Sequence, residues 1–262
     1  MELEYVLMDP TGNVTALVRT PAAAERQPEL ARVVMAAEPA AEQVGFLSPG
    51  GSGADVALRM AGGEFCGNAA MCAAAHWGAA QRVETADVLV RVSGAKEPVR
   101  VRLAAQPDGS WQCSERLPER PSEERVTLRL DGAETVVPLL RFGGIAHLIL
   151  PAGLDRAAVE RAAPDWCAEF GAEALGCMLL DEAAWRLTPL VWVPGAGTLF
   201  WERSCASGSA AVGAYLAGRR GGRVETGLAQ PGGTLYVEAA PVGEIYLRGA
   251  VRVIKVGKIF VK

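Results

Sequence analysis

Glu64-Phe65-Cys66-Gly67-Asn68-Ala69-Ala70-Met71-Cys72-Ala73-Ala74-Ala75 is the stretch on which the reading of the chain turns. A cysteine stands at a turn of small residues and an alanine-rich segment follows, the pattern of a helix that opens directly after Cys66. A second run, Glu202-Arg203-Ser204-Cys205-Ala206-Ser207-Gly208-Ser209-Ala210-Ala211-Val212, repeats the arrangement. If the two helices face each other, two thiols look into one cleft.

Outward from these runs, Glu2 to Met8 and Val14 to Val18 alternate as strands around the turn signal Asp9-Pro10-Thr11-Gly12-Asn13. Pro28 to Ala37 has helical spacing, and strands are expected at Val44 to Leu47, Val56 to Met60, Val83 to Val92 and Val99 to Leu103. The first cysteine helix is predicted to end near Trp77-Gly78, and the second to run to about Leu216 with Gly218 as its stop. The proline- and charge-rich segment Leu117 to Glu124 reads as a domain boundary. Beyond it the order of elements recurs. Leu139 to Phe142, Gly143-Gly144 and Ile145 to Leu150 repeat the opening strand, turn and strand, a helix is predicted over Asp155 to Phe170, and the second cysteine helix follows strands at Cys177 to Asp181 and Thr188 to Val193. Gly233 to Val237, Glu244 to Leu247 and Ala250 to Val256 are strand-like. This order implies an internal duplication: residues 1–120 form an N-terminal half with Cys66, 121–249 a C-terminal half with Cys205, and a last strand, about 250–262, returns to the first half. Ligand is expected in the cleft between them.

The 262 residues are 50% hydrophobic and 21% charged, which fits a packed chain and not a disordered one. A net charge of -4 and a sequence pI near 5.4 give no footprint for nucleic acid. The start, Met1-Glu2-Leu3-Glu4-Tyr5, lacks the pattern of a signal peptide, and charges interrupt each apolar run before membrane-spanning length, so a cytoplasmic protein without a membrane partner is expected. Six cysteines without an export signal then read as reduced thiols. No metal site is predicted, because there is no Cys-x2-Cys pair and only His76 and His147 could supply imidazole. Cys72 lies about 240° around the helix from Cys66 and is expected in the core, as are Cys113, Cys167 and Cys177.

A helix N-terminus favours thiolate, so the sequence predicts a lowered pKa at Cys66 and Cys205. A lone activated cysteine would be a nucleophile, and neither histidine sits in a protease-type motif. Two facing cysteines suit racemisation or epimerisation: one removes a proton from carbon, the other delivers one to the opposite face. The small residues Gly67-Asn68 and Ala206-Ser207-Gly208 let backbone N–H groups approach a carboxylate at both helix mouths. Pyridoxal chemistry is disfavoured, since of the four lysines, Lys96, Lys255, Lys258 and Lys262, three crowd the final strand. No cofactor is expected.

These residues resemble the diaminopimelate epimerase-like superfamily over the whole chain, through Gly12-Asn13, Cys66-Gly67-Asn68-Ala69, Gly144-Ile145-Ala146-His147 and Cys205-Ala206-Ser207-Gly208. The resemblance implies an α+β fold of two pseudo-symmetric halves, each a mixed sheet curled around a central helix, with pyridoxal-independent two-base catalysis by Cys66 and Cys205. Diaminopimelate epimerases carry Gly-Asn-Pro-His where this chain has Gly144-Ile145-Ala146-His147, and Thr-Asn-Val-Asn where it has Thr188-Pro189-Leu190-Val191. They also carry an asparagine in a longer loop before the first cysteine. Without those asparagines, a charged distal end would be rejected. Met8 to Thr15, Glu42 to Phe46 and Trp201 to Gly208 are more similar to the histidine racemases that serve opine-type metallophore synthesis. That likeness implies a small-molecule amino-acid substrate, histidine, interconverted between its L and D forms. The α-carboxylate would lie on the backbone of Gly67, Asn68, Ser207 and Gly208, the α-amino group near Asn13 and Glu202, and the side chain near Glu42. His147 is either a pocket wall or a core histidine. The competing readings are a diaminopimelate epimerase or other racemase, a phenazine-type isomerase and a non-catalytic amino-acid-binding protein. A homodimer is the one assembly left open.

Overall fold

The computed structural model describes residues 1–117 and 119–261; Pro118, inside the expected boundary segment, and Lys262 lie outside the described residues. The first part of the chain forms β1 (Glu2–Pro10), β2 (Thr15–Val18), α1 (Gln27–Ala37), β3 (Gln43–Pro49), β4 (Val56–Met60), α2 (Gly67–Gln81), β5 (Thr85–Val92), β6 (Val99–Ala105) and β7 (Trp111–Arg116). The second forms β8 (Ser122–Leu130), β9 (Ala133–Phe142), β10 (Ile145–Pro151), α3 (Arg156–Glu169), β11 (Leu175–Asp181), β12 (Arg186–Val193), β13 (Thr198–Trp201), α4 (Ala206–Arg220), β14 (Val224–Gln230), β15 (Gly233–Ala239) and β16 (Ile245–Phe260).

The strands share one mixed sheet in the order β1 to β7, then β16, β15, β14, β12, β11, β10, β9 and β8. Because β1 also pairs with β16, the first seven strands and β16 close into a barrel-like ring. Helix α2 runs inside that ring, against β1, β2, β4, β5, β6, β7 and β16. Its composition explains the position. Every residue from Gly67 to Ala75 is buried, and a helix apolar all round, built largely of alanine, can be enclosed closely by strands. Helix α4 is the counterpart, buried from Ala206 to Ala214 and packed on β9, β10, β11, β14, β15 and β16. Both helices share a single large apolar core, while α1 and α3 cover the sheet's outer faces over two smaller ones.

Several boundaries differ from the sequence reading. Helix α2 passes Gly78, which packs against Leu103 and Trp111, and ends where Arg82 turns left-handed at φ 56°. Helix α4 passes Gly218 and stops at Gly221, φ 64°. Ser122 to Glu124 are strand: β8 carries its charges on an exposed edge and pairs with β9 across a tight turn, so its polarity resembled a linker. The three short C-terminal strands are two, β15 and one long β16, and β13 and β14 were not foreseen. Strand β16 pairs with β15 at Tyr246, β7 at Ala250 and β1 at Lys255, so it is common to both parts of the sheet. Among the described residues no helix is long and apolar enough to cross a membrane.

Candidate active site

Cys66 and Cys205 occupy the same structural role. Each is the extended residue that caps a buried helix, at φ -139° and -132°, and each Sγ accepts a backbone N–H from the first turn: Ala69 at 3.4 Å, Gly208 at 3.3 Å. Both line one pocket, together with Glu42, Glu64, Asn68 and Glu202. The helix mouths nearly touch, since a methyl group on Gly67 would lie 3.0 Å from the Ala206 Cβ and 2.7 Å from Glu115 Oε2. Only glycine permits that approach. The N–H groups of Gly67, Asn68, Ala206 and Ser207 have no carbonyl to meet within their helices, which makes the paired mouths a site for a carboxylate. Gly208, expected beside them, instead commits its N–H to the Cys205 thiol.

The two thiols differ in their other partners. The Cys66 S–H donates to Gln43 Oε1 at 3.1 Å, and Gln43 Nε2 donates to Thr15 Oγ1 at 2.8 Å and to Asn13 Oδ1. Cys205 Sγ is 3.6 Å from Ser207 Oγ, which in turn is 3.0 Å from His147 Nε2. His147 is fully buried, and burial pushes it down to about 3, so its ring is neutral. Its Nδ1 has no partner among the described residues. A proton on Nε2, donated to Ser207, leaves the Ser207 hydroxyl free to donate to Cys205.

Asn13 and His147 do not line the pocket; both stand one layer behind it. Asn13 donates to Glu42 Oε2 at 2.8 Å and accepts from Asn68 Nδ2 at 3.1 Å, and its backbone is not left-handed; Thr11 and Gly12 are. Glu42 also accepts the Arg203 N–H at 3.1 Å, a bond between the two parts of the chain. Gln43 was missed although it adjoins Glu42 in the quoted motif: alternation along β3 turns it toward Cys66, and its amide gave no signal of chemistry.

The expected lowering of the thiol pKa values does not occur. Burial, and then the Glu202 carboxyl, push both Cys66 and Cys205 up, and this outweighs the helix N–H bonds that favour thiolate. Burial and Glu42 in turn push Glu202 up to about 8. An acidic, enclosed pocket opposes a thiolate unless a cation enters with the substrate.

The closed sheet around one helix and its counterpart around a second define the fold of proline racemases. A probable proline racemase from Agrobacterium radiobacter K84 superposes with a TM-score of 0.76 at 14% identity, covering 99% of this chain and 93% of that one. Within that fold, the chain belongs to the family described as the histidine racemase CntK N-terminal domain, whose model matches residues 2–260. The histidine racemase of Staphylococcus aureus strain Mu50 is 26% identical over 277 residues, which span 99% of this chain and 98% of that protein. The histidine racemase of Fusobacterium nucleatum strain ATCC 25586 is 27% identical over 270 residues, 99% and 97% of the two chains. The protein is an isomerase.

Proposed function

We propose that the protein racemises histidine by a two-base thiol mechanism without pyridoxal phosphate, in a diaminopimelate epimerase-like arrangement of halves at 1–120 and 121–249. The observation that carries this reading is the pair of cysteine caps on two buried helices that meet at one pocket. The α-carboxylate sits on the free N–H groups of both mouths. The α-ammonium meets Asn68 Oδ1, a buried acceptor with no partner among the described residues, and Glu202. That ammonium supplies the cation the pocket lacks, so one cysteine can become thiolate when substrate binds. The thiolate takes the α-proton on one face. Negative charge spreads into the carboxylate, where N–H donors are already in place, and each such donor contributes about 3–4 kcal/mol to the transition state. The other thiol returns a proton to the opposite face, and the two cysteines end with exchanged protonation.

Asn13 is a positioning residue that holds Glu42, Gln43 and Asn68 together. Ser207 and His147 support Cys205, and Glu42 bridges the halves at the cleft wall. Pro189 and Val191, which stand where the epimerases carry asparagine, support histidine over diaminopimelate, and Val191 lines the pocket. The free state of all six cysteines suits a reducing, cytoplasmic setting, and supply of D-histidine for an opine-type metallophore is the role that the resemblance of Met8 to Thr15, Glu42 to Phe46 and Trp201 to Gly208 implies. Incubation of the reduced protein with each L-amino acid in D2O is expected to give α-proton loss and the D-enantiomer with histidine. Absence of exchange with every amino acid would overturn the racemase reading, and exchange with another residue alone would overturn the substrate.

A further inference from the structure

The placement of an amino acid at the helix mouths uses Glu202 and Asn68 but leaves a third acid of the pocket without a task. Glu64, two residues before Cys66, lines the same cavity. Burial pushes its carboxyl up, against the smaller pull of the nearby backbone N–H groups of Glu64 and Gly62 and of the Arg59 charge. Oε2 is enclosed, with no hydrogen-bond partner among the described residues. The nearby cation makes its hydrogen bonds through Nη1 to other groups: Arg59 donates to Gln27 Oε1 at 2.9 Å and to the Met60 carbonyl at 3.4 Å, and acts on Glu64 through its charge alone.

Oε2 is located by its neighbours. A methyl group on Gly62 would lie 2.6 Å from it and 2.6 Å from Val193 Cγ1, and one on Gly195 would lie 2.8 Å from the Gly62 carbonyl oxygen. The loop before α2 therefore crosses the β12–β13 turn in contact, and the free oxygen of Glu64 lies at that crossing, near Val193. The remaining wall there is apolar, with Val191, Val193 and Phe200. An apolar wall with one enclosed acceptor fits a largely apolar ring that carries a single N–H at its edge. A buried carboxylate oxygen without a donor is costly, and a ligand N–H removes that cost.

We infer that Glu64 determines side-chain specificity: its Oε2 accepts an N–H of the substrate's imidazole ring. The inference rests on the histidine reading above and adds the residue that reads the ring. The same geometry excludes rings of equal size that lack an N–H, because they would leave the oxygen enclosed and unpaired.

The test compares α-proton exchange of L-histidine with that of L-β-(2-thienyl)alanine, whose five-membered ring has no N–H, in the native protein and in Glu64→Gln and Glu64→Met. The native protein is expected to favour histidine by at least about 100-fold in kcat/KM. Glu64→Gln is expected to lower kcat/KM for histidine by about 10- to 100-fold, chiefly through KM, with thienylalanine unchanged. Glu64→Met is expected to bring the two substrates within a few-fold. Equal losses for both substrates, or a native protein that accepts thienylalanine about as well as histidine, would overturn the inference; the second comparison needs no variant to fold. A native protein that exchanges no histidine proton would overturn the functional reading beneath it, whereas exchange of histidine without ring discrimination removes the role of Glu64 alone.

Discussion

Cys66→Ser and Cys205→Ser should each lose racemisation by about 10²–10⁴-fold while remaining folded. Serine is itself a good helix cap and accepts the same N–H, so α2 and α4 keep their starts. What is lost is the acid/base group, because a hydroxyl does not reach the anionic form at neutral pH that a thiol can. A sharper result separates the two variants. Each retains one thiol, so each should still exchange the α-proton of one enantiomer of histidine with D2O while keeping its configuration, and the enantiomer should be opposite in the two variants. Loss of racemisation without this reciprocal exchange would mean that the cysteines do not divide the two faces. Unchanged activity in either variant would remove that cysteine from the mechanism.

Glu115 should make the protein less stable as pH rises. It lies on β7 directly behind Gly67, is 0% exposed, and neither carboxyl oxygen has a hydrogen-bond partner among the described residues. Burial pushes it up to about 8. The unfolded chain releases this proton near the ordinary value of about 4.3. Between those two values the folded state holds a proton that the unfolded state has lost, so stability is highest below the lower value and declines through the upper one. The full decline from this group is on the order of 3–5 kcal/mol. Glu115→Gln keeps the shape and removes the titration. Denaturant unfolding from pH 5 to 9 should show the variant gaining on the native protein as pH rises, with the difference complete near pH 8. Parallel curves would show that the carboxyl is solvated or paired. Burial of Glu202, also near 8, adds a slope of the same sign to both proteins, so the difference between the two curves isolates Glu115.

Much of this arrangement was legible because its carriers are local. A cysteine before small residues and an alanine run is a helix cap wherever it folds, and its repetition placed the second helix. The limits arose where tertiary contacts decide. Gly78 and Gly218 read as helix stops, but each lies within a helix, Gly78 because Leu103 and Trp111 require the missing side chain. The charges of β8 looked like a linker because an exposed edge strand needs no apolar alternation. Gln43, Glu64 and Glu115 carry no motif; their importance comes from enclosure, which a charged or amide residue does not announce. The thiols were misjudged for the same reason. The helix N–H groups are visible in sequence, whereas the burial and the Glu202 carboxyl that oppose them belong to the folded pocket.

The central claim is that two thiols act on opposite faces of one carbon, and the position of deuterium in the first products tests it most directly. L-histidine in D2O, stopped at low conversion, is expected to yield D-histidine that carries deuterium at Cα while the remaining L-histidine keeps its proton. Early D-histidine that retains the original proton, or deuterium entering the L-histidine pool as fast as inversion proceeds, would show a single base serving both faces and would contradict the account.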